Sequence, residues 1–380
     1  MIRRARLIDL TQKVIAYNSE NPPGNEAALG KFIERDMRSL GLEVKIHSFA
    51  PKRPNIIATL KGQLPRKQAA DRAILISPHY DTVPIGQGWK YPPLGGVIHQ
   101  GKIYGRGASD DKGNLAVCME VMRSLTEDQV RLRHDLIMAA TADEETGSHQ
   151  GMLPLLNKKI LRPGFALVLD SDEFKVIIAQ KGLIHLRVII TGKKAHGAYN
   201  WLGVNAIEIA SRVIVKVKKH KFVYRRHPLL RPPTVNVGVI KGGDKVNMVA
   251  DHCELALDIR YLPGMDPRHI LKELQEIIAT ETKKFRVEID DLQYPYEMDP
   301  RHPLVREYVQ AVKAVSRRPE ISGSEGATVI SFFQKRGIPA FATGFGATGT
   351  AHSTDEYIRI ETLVKGAAVL EDYIKRVDVL

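Results

Sequence analysis

At 380 residues the chain is longer than one hydrophobic core usually serves, which favours two domains over one. With 43% hydrophobic, 26% charged and 6% aromatic residues it can bury a sizeable core, and no run reaches the roughly 18 apolar residues of a membrane span, so disordered, fibrous and transmembrane classes are excluded. Fifty-six Lys and Arg against 43 Asp and Glu leave +13, a field that attracts anions without choosing among nucleic acid, an acidic lipid surface and an acidic metabolite.

The first ten residues, MIRRARLIDL, lack the apolar stretch of a secretory signal. Leu7, Leu10, Val14 and Ile15 lie at helical spacing, and Asn21-Pro22-Pro23-Gly24 breaks the helix. Leu29, Phe32, Ile33, Met37 and Leu40 form the face of a second helix that Gly41 ends, and 42–49 and 55–60 read as strands. Three short apolar runs then stop at acidic or imidazole side chains: 73–76 before His79 and Asp81, 136–140 before Asp143-Glu144-Glu145, and 166–169 before Asp170. Buried strands of an α/β sheet have this form, and ligands of open α/β sheets collect beyond the carboxyl ends of parallel strands. A fourth run, 338–342, leads through a glycine-rich loop to His352.

Between Gly182 and Leu292 the pattern is self-contained: strand 183–190, helix 204–219, strands 234–240 and 253–261, a helix carrying Ile270, Leu271, Leu274, Ile277 and Ile278, and strand 285–289. That order is βαββαβ, a four-stranded sheet backed by two helices. The expected architecture is α/β in two domains: a mixed, mostly parallel sheet with helices on both faces, from residues 1–181 and 293–380, and an inserted ferredoxin-like domain at 182–292. The two cysteines, Cys118 and Cys253, are far apart, as expected for a reduced, intracellular chain, and the cytoplasm is the expected compartment.

His79 and Asp81 are two residues apart at a strand end, so both side chains point one way, and a carboxylate there can hold the second nitrogen of a metal-ligating imidazole. A surface hydrogen bond is the plainer explanation of that pair. Asp110 and Asp111, in Gly105-Arg106-Gly107-Ala108-Ser109-Asp110-Asp111-Lys112-Gly113, stand at a helix entry, where acids also serve as caps. Glu144 and Glu145 repel each other and point opposite ways on an extended chain, which lets one bind metal while the other acts as a base; a solvated loop is the alternative. Together His79, Asp110, Glu145, Asp170 and His352 are oxygen and nitrogen donors without a thiolate, the set that suits two Zn²⁺, Co²⁺ or Mn²⁺ ions. Such ions, roughly 3.5 to 4 Å apart, generate a bridging hydroxide at neutral pH and polarise a carbonyl, which is hydrolytic chemistry.

These stretches, with Ser77 to Pro84, Asp143 to Gly147, Ala179 to Gly182 and Ala351-His352-Ser353, carry a resemblance over nearly the whole chain. The sequence resembles the zinc-dependent family of acetylornithine deacetylase, succinyl-diaminopimelate desuccinylase, aminoacylase and related dipeptidases and carboxypeptidases. The resemblance implies that His79 and Asp170 bind one zinc, Glu145 and His352 the other, and Asp110 both, with Asp111 a neighbour. It implies further that Glu144 moves the proton from the bridging water to the leaving amine, and that Asp81 orients His79. The inserted domain would then be lid and homodimer interface, with His196 of Lys194-Ala195-His196-Gly197-Ala198 stabilising the oxyanion, in many members from the partner subunit. Asn247 and Arg260 match positions that hold a substrate carboxylate; a strand-end surface histidine and an exposed sheet face are the bland readings of His196 and Arg260.

Tyr199-Asn200 stands where the family pattern has a proline, and Val329 where an acid usually follows threonine. Asp170 is the peptidase-like choice, while deacylases more often carry Glu. The expected activity is cleavage of small N-acyl amino acids that bear a carboxylate, with a dipeptidase, aminopeptidase or carboxypeptidase as the alternative and a non-catalytic binding protein as the reading from another class. Gly344 to Gly349 formally matches G-x-G-x-x-G, but no helix is predicted to open directly after it, so a dinucleotide site is not expected. The basic cluster of Lys216, Lys218, Lys219, Lys221, Arg225 and Arg226 has few interleaved aromatics and reads as a solvated face, so neither nucleic acid nor membrane is an expected partner.

Overall fold

The computed structural model describes residues 1–170, 172–315 and 317–380, which divide into two compact units. One comprises Met1–Ile178, Met298–Ser322 and Thr328–Leu380; the other comprises Ala179–Glu297 and Gly323–Ala327. Among the described residues no helix is long and apolar enough to cross a membrane.

In the first unit the sheet runs, in spatial order, Glu43–Ser48, Pro54–Leu60, Leu136–Ala140, Ile74–Pro78, Phe165–Leu169, Ala340–Thr343 and Lys175–Gln180. Ile74–Pro78 pairs in parallel with Leu136–Ala140 and Phe165–Leu169, and Ala340–Thr343 in parallel with Phe165–Leu169. The flanking pairings are antiparallel, so the sheet is mixed with a parallel centre. Every residue of Ile74–Pro78, Phe165–Leu169 and Ala340–Thr343 is buried, which is why these strands read as continuous apolar runs rather than alternating ones. Because the central strands run one way, the residues that follow them, at 79, 143–145, 170 and 344–352, all leave from the same end of the sheet.

Helix Lys112–Glu127 packs on Ile74–Pro78 and Leu136–Ala140 and against helices Arg4–Ile15 and Ile360–Val377. It is buried without interruption from Lys112 to Met122, so it meets its surroundings on all sides and not through one apolar face. Val97–His99, Lys102–Tyr104 and Tyr357–Arg359 form a separate antiparallel sheet. Strands this short carry too little alternation to be recognised in a sequence, yet their pairing brings the chain just after His352 beside the chain just before Asp110.

The second unit is βαββαβ: Gly182–Thr191, Ala206–Lys219, Thr234–Gly242, His252–Tyr261, Pro267–Ala279 and Phe285–Gln293. Its strands are antiparallel, with His252–Tyr261 and Phe285–Gln293 on either side of Gly182–Thr191 and Thr234–Gly242 outermost. One side of His252–Tyr261, from Cys253 through Leu255, Leu257 and Ile259 to Tyr261, packs into a core with Ile209, Val213 and Val217 of one helix and Ile270, Leu274 and Ile278 of the other. Asn205 and Asp266 cap those helices by accepting the Ile207 and Arg268 N–H groups, and Pro267 follows in the first turn, where its missing N–H is no loss. Gly182 is required by packing, since a Cβ there would lie 2.3 Å from the Tyr261 ring. Cys118 and Cys253 are both free and buried.

Candidate metal centre

His79 follows Ile74–Pro78 directly, is 3% exposed, and is held by its backbone as well as its ring. Its N–H donates to Asp111 Oδ2 at 3.1 Å. Its Nε2 faces Asp110 Oδ1 at 2.9 Å, while Nδ1 lies 3.1 Å from the Asp81 carbonyl oxygen and 3.4 Å from Asp81 Oδ1. The nearer contact to Asp81 is therefore the main chain. The Asp81 carboxylate spends its oxygens elsewhere: Oδ1 accepts the Glu144 N–H and Oδ2 the Glu145 N–H, each at 3.1 Å. Two chain segments are fastened by one buried carboxylate, a role that an i, i+2 spacing does not reveal.

Glu144 and Glu145 are not extended. They begin a 3₁₀ turn, Glu144–Thr146, entered through Asp143 in the left-handed region at φ 67°. Asp143 holds that conformation through a 2.8 Å ion pair with Arg53 and by accepting the Gln150 N–H at 2.7 Å. Asn21 completes the anchor, donating to Asp81 Oδ2 at 2.9 Å and to Thr146 Oγ1 at 3.0 Å. The Asn21-Pro22-Pro23-Gly24 segment thus does more than stop a helix; its only sequence-level signal was a polar residue placed ahead of two prolines.

Asp110 stands where the chain leaving Ile74–Pro78 and the His352 loop meet. Oδ1 faces His79 Nε2 at 2.9 Å, and Oδ2 faces His352 Nε2 at 3.2 Å. His352 also lies 3.1 Å from Glu145 Oε2. Donor atoms of His79, Asp110 and Glu145 all fall within 4.8 Å of one another. Asp111, joined to Asp110 by a cis peptide, starts helix Lys112–Glu127 but caps none of its N–H groups; its carboxylate accepts the His79 N–H and the Asn114 side-chain amide instead. Asp170 follows Phe165–Leu169, its N–H donating to the Thr343 carbonyl at 2.9 Å.

The protonation of this cluster shows a charge imbalance. Burial pushes the Asp170 carboxyl up to about 7, helped by the negative charges of Asp110 and Glu145. Burial, and then the Asp170 charge, raise Glu144 well above the usual carboxylate range. His352 is pushed up to about 10 by its contacts with Asp110 and Glu145. For His79 burial acts downward, but Asp110 and Asp81 outweigh it and raise the ring. Buried carboxylates crowded against imidazoles, all oxygen and nitrogen donors free of thiolate, are a set that suits divalent cations. The residues fit such ions.

The glycine-rich segment before His352 opens no helix; the next one begins at Ile360. Gly346 serves close approach, since a Cβ there would lie 2.4 Å from Ser109 Oγ.

In the second unit the backbone pairs His196 with Met248, and the Gly197 N–H donates to the Asn247 carbonyl at 2.8 Å, so His196 and Asn247 are neighbours. His196 is exposed, and its Nδ1 accepts the Ala198 N–H at 3.1 Å, which leaves Nε2 to carry the ring proton outward. Arg260 is committed within its own strand: Nε and Nη2 grip Asp258 Oδ1 and Oδ2 at 2.8 and 3.1 Å. A substrate carboxylate would have to displace Asp258. In the basic cluster, Lys216 pairs with Glu281 at 2.6 Å and Lys218 donates to the Val235 carbonyl at 3.0 Å.

The chain is similar to acetylornithine deacetylase from Proteus mirabilis (strain HI4320), with 29% identity over 373 residues covering 93% of this chain and 90% of that protein. Its fold is similar to that of aminopeptidase PepT from Bacillus cereus ATCC 10987, at a TM-score of 0.82 and 25% identity over 99% of each chain. The Bacillus subtilis YXEP protein, a dinuclear metal binding peptidase from the M20 family, has the same fold at a TM-score of 0.76 and 14% identity, covering 98% of this chain and 97% of that one. The pattern of peptidase family M20/M25/M40 matches residues 75–376, a span that runs from the strand before His79 past His352. The chain belongs to peptidase family M20/M25/M40 and is a metal-dependent hydrolase of amide bonds.

Proposed function

We propose that the protein hydrolyses the amide bond of small N-acylated amino acids, with His79 and Asp170 holding one divalent ion, Glu145 and His352 a second, and Asp110 both. Asp110 carries this reading, because each of its carboxylate oxygens faces a different histidine. Zinc is the expected metal, with cobalt or manganese able to replace it. A bound pair of such ions supplies Lewis acidity, acidifying water toward neutral pH and polarising the scissile carbonyl.

Glu144 is the acid-base residue. Its backbone is pinned to Asp81 and, among the described residues, its side chain makes no hydrogen bond or ion pair, so it can take the proton of the attacking water and deliver it to the leaving nitrogen. His196, with Nε2 as its donor, stabilises the oxyanion, either within one chain or across a homodimer formed by the inserted unit. Exposed apolar side chains in that unit, Val215, Val239, Ile240 and Val246, support self-association. Asn247 and, once Asp258 is displaced, Arg260 take the substrate carboxylate.

The 29% identity to a deacetylase supports an N-acyl amino acid, while Asp170 favours a peptide substrate. A panel of N-acetyl, N-succinyl and dipeptide substrates, assayed after chelation and reloading with Zn²⁺, Co²⁺ or Mn²⁺, separates them. Faster turnover of dipeptides would move the reading to a dipeptidase, and no turnover at full metal loading would leave a binding protein. His196→Ala is expected to lower kcat by about 10²-fold or more and to change KM far less, since an oxyanion donor acts mainly in the transition state. An effect confined to KM, in steady-state kinetics, would remove His196 from that role.

A further inference from the structure

We infer that Glu356 and Arg106 form a positioning pair that fixes Asp110 and His352 relative to each other and thereby sets the affinity for the second ion. The inference rests on the dinuclear reading above and extends it to two residues that touch no ion.

Glu356 is fully buried, four residues after His352. Its Oε1 accepts the Ser109 and Asp110 N–H groups at 2.8 and 2.9 Å, and its Oε2 accepts the Gly107 N–H at 3.0 Å and Arg106 Nη1 at 2.8 Å. A carboxylate has about four acceptor sites, and four donors occupy them. Glu356 is therefore an acid beside a cation site that has no lone pair left for a cation. What it holds is the backbone of Asp110, the residue whose carboxylate meets both histidines.

Arg106 ties the other loops to the same point. Nη1 also donates to the Ser353 carbonyl at 3.1 Å, next to His352, and Nη2 donates to the Pro84 and Ile85 carbonyls at 3.3 and 3.2 Å, on the loop after Asp81. The guanidinium lies over the Trp89 ring at 5.0 Å. The main chain adds a further tie, the Gly105 N–H donating to the Glu356 carbonyl at 2.8 Å. Segments far apart in sequence thus share one buried ion pair.

Charge and shape are both needed. Gln at 356 keeps the volume but turns one oxygen into an N–H donor, which must then face either the Ser109 and Asp110 N–H groups or Gly107 and Arg106. Lys at 106 keeps the charge but loses the planar fork that reaches Glu356, Ser353 and the 84–85 carbonyls together.

The test uses the full-length protein, competitive chelator titration with Zn²⁺, and the absorption spectrum of the Co²⁺-loaded form. Wild type is expected to take up two zinc ions per chain. Glu356→Gln should weaken the second ion about 10- to 100-fold, alter the Co²⁺ spectrum, and lower kcat more than it raises KM. Arg106→Lys should do the same, and the double variant should lose little more than the worse single one, since both act through one contact. The Arg106→Lys titration decides the matter if Glu356→Gln does not fold. Lower thermal stability with wild-type zinc affinity and an unchanged Co²⁺ spectrum would overturn the inference alone. Wild type that takes up fewer than two ions would overturn the dinuclear reading and the inference with it.

Discussion

Glu144→Gln is expected to keep both metal ions and lose about 10²- to 10⁴-fold in kcat, the range a general acid-base group supplies. The substitution preserves shape and the backbone link to Asp81, so the turn that carries Glu145 stays in place. What disappears is the ability to take a proton. Burial and then the Asp170 charge hold the Glu144 carboxyl well above its ordinary range, the direction that suits an acid-base group. Metal content by atomic absorption and kcat on the best substrate of the panel check the two halves separately. Loss of metal along with activity would make Glu144 a ligand, and retained activity would leave the centre without its base.

His352→Ala is the second large effect, and its signature is the reverse. Removing this imidazole takes away a nitrogen donor and leaves Asp110 Oδ2 and Glu145 facing each other without a cation or a proton carrier between them. Metal content should fall from two ions to one or fewer per chain, with activity falling to near background. Two ions at wild-type affinity in the variant would remove His352 from the site.

The same cluster sets a pH dependence. In the metal-free chain His352 is raised from its ordinary 6.5 to about 10, so its contacts stabilise fully below about 6.5 and are lost as pH rises through about 10. Asp170 is raised from 3.8 to about 7, so its cost is absent below about 3.8 and complete above about 7. Both make the metal-free chain less stable as pH rises, and divalent ions relieve both. The gain in melting temperature on adding Zn²⁺ should therefore grow between about pH 5 and pH 9, and a gain that shrinks over that interval would contradict the assignment.

Much of the inserted unit was legible because its signals are local. Alternation along 253–261 and the helical stripe from Ile270 to Ile278 each appear within a dozen residues, and the observed strand and helix follow them. The strands before His79, Glu144 and Asp170 were legible for a related reason: burial on both faces demands an unbroken apolar run, and the run ends where the chain emerges. The three-residue strands at 97–99, 102–104 and 357–359 were not, because each is defined by its partner and not by its own pattern.

The sequence by itself determined the donor chemistry and the sites along the chain where it appears, since which atoms can hold a cation is a property of each side chain. Tertiary structure alone decided how those donors are supported. Asp81 spends its carboxylate on the Glu144 and Glu145 backbone, Asn21 braces that turn, Arg260 closes on Asp258, and Glu356 secures Asp110. For Asp81, Asn21 and Glu356 the partners lie tens to hundreds of residues away. A hydrogen bond across such a distance depends on where two loops finish, and it leaves no periodic trace in either one.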